Sequence, residues 1–205
     1  MTSKIPRIII GRLPLYLRAL NRLKNDGYDH ASSRELGKLL DISAAQIRKD
    51  LSHFGEFGKQ GTGYNIEFLT EQLERILKVD RVWPMIVVGA GDIGSAVARY
   101  QGFSNRGFKI THIFDNDPQK IGQRTGPFTI KDIAELSATI KAEKISIAMI
   151  AVPAPYAQEV ADELVSAGVK AILNYAPVNV NVPLGVWVEY TDPATHLQHM
   201  TYYLD

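Results

Sequence analysis

The chain has 205 residues, 45% of them hydrophobic, a net charge of +1 and no cysteine. That length buries one large core or two small ones, and the missing cysteine excludes disulfides, thiolate metal sites and cysteine nucleophiles while fitting a reducing cytoplasm. No apolar run approaches the ~18 residues of a membrane span, and the opening Met1–Arg12 has neither the hydrophobic segment nor the cleavage site of a secretory leader.

The near-neutral total hides an asymmetry. Residues 1–63 carry 11 Lys/Arg against 6 Asp/Glu, whereas residues 80–205 carry 10 against 13. A basic front on an acidic back predicts an anionic partner for the front alone.

The front reads as three helices and a hairpin. Apolar residues at 13, 16, 17, 20 and 23 predict a helix over Leu13–Asn25 that closes at Gly27. Ser32-Ser33-Arg34-Glu35 has the spacing of a capping box and opens a short helix with Leu36, Leu39 and Leu40; Asp41-Ile42 turns the chain. Ser43-Ala44-Ala45-Gln46 has the same spacing and opens the next helix, to about Phe54. Two short capped helices joined by a tight turn describe a helix-turn-helix. In the second, Ala44, Ile47, Leu51 and Phe54 are expected to pack inward. Gln46, Lys49, Asp50 and His53 are expected to project outward, with Arg48 on the flank. Such a division suits a helix that reads a DNA groove, and equally a solvated amphipathic helix. The following segment, Gly55–Tyr64, holds four glycines, with Phe57 and Tyr64 flanking a tip that bears Lys59. It predicts a β-hairpin wing whose lysine reaches phosphates or a minor groove. Ile66–Val79 is a further amphipathic helix, and Arg81-Val82-Trp83-Pro84 marks the expected domain boundary.

The back half alternates strand and helix, which predicts an α/β fold with a parallel sheet and helices on both faces. Met85–Val88 enters Gly89-Ala90-Gly91-Asp92-Ile93-Gly94, a G-x-G-x-x-G turn, then a helical run (Ser95–Tyr100); a second strand, Ile110–Phe114, ends on Asp115, 21 residues after Gly94. Gly89 permits the tight turn, Gly91 the approach of a pyrophosphate, and Gly94 the packing of helix on strand. The helix N-terminus then faces phosphate, and Asp115 accepts from ribose hydroxyls while repelling a 2′-phosphate, which favours NAD(H). Beyond it, Lys131–Ala142 reads as helix, Ile145–Val152 as strand, Tyr156–Ala167 as helix, and Lys170–Asn174 and Val186–Tyr190 as strands. Val152-Pro153 and Asn174-Tyr175-Ala176-Pro177 fall at strand carboxyl ends, where a nicotinamide would lie; the same residues also suit plain strand ends and core.

The chain resembles the Rex family of redox-sensing transcriptional repressors over essentially its whole length. The resemblance rests on Arg12–Tyr16, Ser32–Leu36, Gln46–Gly55, Gly61–Asn65, Gly89–Gly94, Ala151–Ala154 and Gly168–Pro177. It implies a winged-helix DNA-binding domain over 1–80, a Rossmann-like NAD(H)-binding domain over 81–190, and a last helix over 191–205 that swaps into the partner of a homodimer. The implied function is repression through a palindromic double-stranded operator, with release when NADH binds. Ser43, Gln46, Arg48, Lys49, His53, Lys59 and Tyr64 are the expected DNA-contacting residues. The resemblance also implies a coupling trio of Arg18, Tyr100 and Asp192. Pro193 departs from the large apolar residue usual after that aspartate.

Two other classes compete. A dehydrogenase lacks a substrate domain here, a Tyr-x-x-x-Lys dyad and an acid–base pair, so no catalytic residue is expected; His196 and His199 alone supply two ligands, so no metal is expected either. A CoA- or nucleotide-binding regulatory module has a similar sheet, and Asp115 weighs against it.

Overall fold

In the computed structural model, residues 5–59 and 62–204 are described, Lys59 by its backbone alone. The chain forms two compact units, Met1–Arg81 and Val82–Asp205.

The first unit opens with helix α1 (Arg7–Asn25). The apolar stripe that begins at Leu13 placed its expected start there. Instead Pro14 lies inside, and the helix begins at Arg7, after Pro6. Strand β1 (His30–Ala31) follows, then α2 (Ser33–Leu40) and α3 (Ala44–Ser52). The Ser32 box is complete: its Oγ accepts from the Glu35 amide at 3.1 Å, and Glu35 accepts from the Ser32 amide at 2.7 Å. Asp41, left-handed at φ 53°, ends α2 and makes the turn. Strands β2 (Gly58–Lys59) and β3 (Gly63–Asn65) form the wing, and β1, which the sequence reading lacked, pairs with β3 to complete a three-stranded sheet, order β1-β3-β2. Helix α4 (Ile66–Leu77), capped by Asn65, closes the unit. Leu13, Tyr16, Leu20, Leu36, Ile47, Leu51, Leu69 and Leu73 form its core.

The second unit is a doubly wound sheet. Its elements in order are β4 (Trp83–Val88), α5 (Asp92–Arg99), β5 (Phe108–Asp115), β6 (Arg124–Thr125), β7 (Phe128–Asp132), α6 (Leu136–Glu143), β8 (Ile147–Ile150), α7 (Ala157–Ala167), β9 (Ala171–Asn174), β10 (Trp187–Tyr190) and α8 (Pro193–Thr201). The sheet order is β10-β9-β8-β4-β5-β7-β6, all parallel except the β6–β7 pair. Without β6 this is the 3-2-1-4-5-6 order of dinucleotide-binding folds, whose direction reverses between β4 and β8. Side chains alternate along β4: Ile86 and Val88 join the core under α6 and α7, Met85 and Val87 the core under α5. The helix expected over Lys131–Ala142 starts at Leu136, because Lys131-Asp132 end β7, a strand hidden by its alternation of apolar Phe128 and Ile130 with polar neighbours. Among the described residues no helix is long and apolar enough to cross a membrane.

Candidate functional site

The glycine turn sits at the reversal point of the sheet. Gly89 has φ 101°, and a Cβ there would stand 2.5 Å from the Ala151 carbonyl oxygen and 3.0 Å from Val152 Cγ1. A Cβ on Gly94 would overlap the Gly89 carbonyl. Both glycines are therefore required, one by conformation and contact and one by contact alone. Gly91 is exposed, with nothing within 4 Å of where its Cβ would be, and no side chain caps α5. The first turn of α5 is thus open at the positive end of a helix, a geometry that suits a phosphate. Asp92 and Ile93 are exposed in that first turn, and Ala90 is buried beneath it.

Asp115 ends β5 and is 7% exposed. Its Oδ2 accepts from the Ala90 amide at 2.7 Å and from Lys120 Nζ at 3.3 Å; its Oδ1 accepts from the Asp117 amide at 2.9 Å. Burial raises its carboxyl, but the two amides and the Lys120 ammonium outweigh that and hold it below the ordinary value. The carboxylate thus ties down the glycine turn and keeps part of its acceptor capacity for a ligand.

The strand ends beyond are nearby but mostly occupied. The Ala151 amide donates to the Val88 carbonyl and the Tyr175 amide to the Ile150 carbonyl, so the chain after β8 and β9 runs beside the glycine turn. Asn174, expected to face a ligand, is fully buried: its Nδ2 donates to the Val178 carbonyl at 2.8 Å and its Oδ1 accepts from the Ala176 amide at 2.9 Å. It shapes the turn that carries Tyr175. Tyr175 is half-buried on the α5 side of the sheet, and burial raises its hydroxyl pKa. Pro153 and Pro177 are exposed, Val152 half-buried and Ala176 buried.

In the first unit, α3 presents Arg48, Lys49 and His53 to solvent. Arg48 Nη1 donates to Ser33 Oγ at 2.9 Å, which fixes its stem against α2. Ser43 Oγ accepts from the Gln46 amide at 3.1 Å, but the return half of this capping box is absent. Gln46 Nε2 instead donates to Asp50 Oδ1 at 2.6 Å. Asp50, expected to point outward, is fully buried. It accepts from Arg12 Nε at 2.5 Å, Arg12 Nη2 at 2.8 Å and the Tyr16 hydroxyl at 2.5 Å. With Gln46 these four bonds fill its acceptor sites. Burial pushes the Asp50 carboxyl up, yet those donors and the Arg12 charge hold it below its usual range. The Tyr16 hydroxyl is raised, first by burial and then by the carboxylate it serves. The ion pair locks α3 to α1. Its signal lay in the sequence: Asp50 falls three residues after Ile47 and four before Phe54, on the edge of the inward stripe. Tyr64, expected at the DNA, is 8% exposed and packs in the core against Gly58 at the base of the wing. The Lys59 side chain and Gly61 lie outside the described residues.

Of the coupling trio, Arg18 and Tyr100 are exposed, and Tyr100 stacks edge-on with Phe103 at 5.0 Å. Asp192 caps α8, accepting from the Ala194 amide at 2.9 Å, with Pro193 first in the helix. Leu197 and Met200 on α8 and Leu204 beyond its end at Thr201 are 60%, 59% and 74% exposed, so these apolar side chains have little cover in their own chain. Among the described residues no group of three or more His, Cys, Asp or Glu side chains is placed to hold a metal.

The comparisons join these two halves. A family described as putative DNA-binding protein N-terminus matches residues 4–52, and one described as CoA binding domain matches residues 80–178. A redox-sensing transcriptional repressor Rex of Chloroflexus aggregans is 52% identical over 97% of this chain and 94% of its own. The solved structure of RSP with NAD+ and operator DNA has 38% identity and a TM-score of 0.93, covering 98% of this chain and 93% of that one. RSP with NADH has 36% identity and a TM-score of 0.90, covering 98% and 95%. The second-unit match names a sheet that CoA-binding proteins share, whereas the full-length matches span both units. The chain belongs to the Rex family of redox-sensing transcriptional repressors.

Proposed function

We propose that this chain is a homodimeric repressor that binds a palindromic operator in the cytoplasm and releases it when NADH binds. The observation that carries the reading is the pairing, in one chain, of an exposed recognition face on α3 with an open, uncapped phosphate seat at Gly89–Gly94. RSP has been solved with NAD+ and operator DNA and with NADH, at TM-scores of 0.90 or more. Residues 1–80 bind DNA through Ser43, Gln46, Arg48, Lys49, His53 and the wing lysine, Lys59. Residues 81–190 bind NAD(H), with the pyrophosphate on Gly89–Gly94, the adenosine ribose at Asp115, and the nicotinamide beside Val152-Pro153 and Tyr175–Pro177. Residues 191–205 pack the stripe of Leu197, Met200 and Leu204 on the partner subunit. Arg18, Tyr100 and Asp192 exchange contacts between the two states.

NADH is a ligand rather than a substrate in this reading. NAD+ carries a positive ring, and a water-poor pocket penalises buried unpaired charge. A discrimination of about 100-fold needs only about 2.7 kcal/mol, and no catalytic group. The test is a gel shift on a palindromic duplex selected from a random pool, run without ligand and with NADH, NAD+ or CoA. Release by NADH alone supports the reading. Release by CoA alone favours the regulatory-module alternative, and no retardation of any duplex refutes DNA binding.

A further inference from the structure

Asp115 does not stand alone at the ribose end of the site. Asp117 turns the chain after β5: its carbonyl accepts from the Lys120 amide at 2.9 Å, and its Oδ1 accepts from the Gln119 amide at 2.9 Å. That turn returns the Lys120 ammonium to 3.3 Å from Asp115 Oδ2 and 3.8 Å from Asp117 Oδ2. The Lys120 side chain is 38% exposed, so it is seated on the two acids yet open to a ligand.

We propose that Lys120 is a second cofactor-selecting residue, a 2′-phosphate ligand held occupied by Asp115, so that the strength of the site's preference for a free 2′-hydroxyl is set by the Asp115–Lys120 pair. This rests on the reading of Gly89–Asp115 as the dinucleotide site. Two carboxylates and one ammonium leave this corner one negative charge. A ribose 2′-hydroxyl meets both needs there, donating to the Asp115 carboxylate and accepting from Lys120. A 2′-phosphate, carrying up to two negative charges, meets a net negative corner and is rejected. Neutralising Asp115 reverses the balance, because the lysine then faces the phosphate with only the more exposed Asp117 to restrain it. Asp115 thus keeps a ready phosphate-binding lysine occupied.

The test is a fluorescence titration of NADH and NADPH into four proteins: wild type, Lys120→Ala, Asp115→Asn and the double variant. Asparagine keeps an acceptor for the Ala90 amide. Asp115→Asn is expected to improve the affinity for NADPH relative to NADH by about tenfold or more, as expected for removing one buried charge a few ångströms from a dianion that stays in reach of solvent. Most of that gain should vanish in the double variant. Lys120→Ala, which leaves the glycine turn and Asp115 intact, should by itself make the bias against NADPH stronger, more so at low salt. A gain that survives loss of Lys120, or an unchanged bias in Lys120→Ala, overturns the proposal while leaving the dinucleotide site standing. A wild type that binds neither nucleotide overturns both. Should Asp115→Asn fail to fold, Lys120→Ala alone decides the matter.

Discussion

Replacing Asp50 by alanine should loosen the whole of helix α3. The change removes the acceptor of four hydrogen bonds. Tyr16 is fully buried, so its hydroxyl is left without a partner, at a cost of about 1–3 kcal/mol. Arg12 also loses its counter-charge, but its side chain is 20% exposed and can still reach water. The loss should therefore sit at the low end of the range for breaking a buried pair, about 3 kcal/mol. Against a total stability of about 5–15 kcal/mol that is a large share, and it corresponds to about 150-fold more frequent opening. Hydrogen exchange at pH 7 reads it directly: amides of α3, such as Ile47 and Leu51, should lose about that factor of protection, while those of α5 in the other unit stay unchanged. The pH dependence follows from the depressed carboxyl. A group whose folded pKa lies below its unfolded value of about 3.9 stabilises fully above that value and loses the contribution as pH falls through the folded one. The gap between wild type and variant in urea melts should be full at pH 6 and narrow below about pH 4. Protection within about threefold of wild type at pH 7, under 1 kcal/mol, would refute the claim that this pair holds α3.

Gly94→Ala should abolish binding of NADH, seen by titration, and leave operator affinity without ligand unchanged, since the new Cβ meets the Gly89 carbonyl in the second unit. Arg48→Ala and Lys49→Ala should each weaken operator binding and lower the log–log salt slope by about 0.9 if the side chain meets a phosphate; unchanged affinity and slope in both would remove α3 from the interface. Leu197→Asp with Met200→Asp should convert a dimer to monomer in sedimentation, without loss of the second unit's melting transition, because neither side chain is buried in its own chain.

Much of this was legible where a local rule acts alone. The Ser32 box, the turn at Asp41 and the glycine turn that brings Gly94 against the Gly89 carbonyl follow from short-range chemistry, and all appear in the structure. The errors arose where tertiary partners decide. A carboxylate such as Asp50 reads as surface until Arg12 and Tyr16, more than 30 residues earlier, arrive to satisfy it. Gln46 followed it, because a buried acceptor outcompetes an exposed backbone amide for the same side chain. Asn174 reads as a ligand contact by position, yet its amide closes its own loop. Strand β1 is two residues long and exists only because β3 pairs with it.

The most direct test of the account is reciprocity. Linkage requires that the factor by which NADH weakens operator binding equal the factor by which operator weakens NADH binding. The measurement is the dissociation constant of NADH for the wild-type protein, free and saturated with its selected duplex. The account predicts weaker binding on DNA, by the factor seen in the gel shift and on the scale of about 5–150-fold. An NADH affinity that is the same with and without duplex would contradict it.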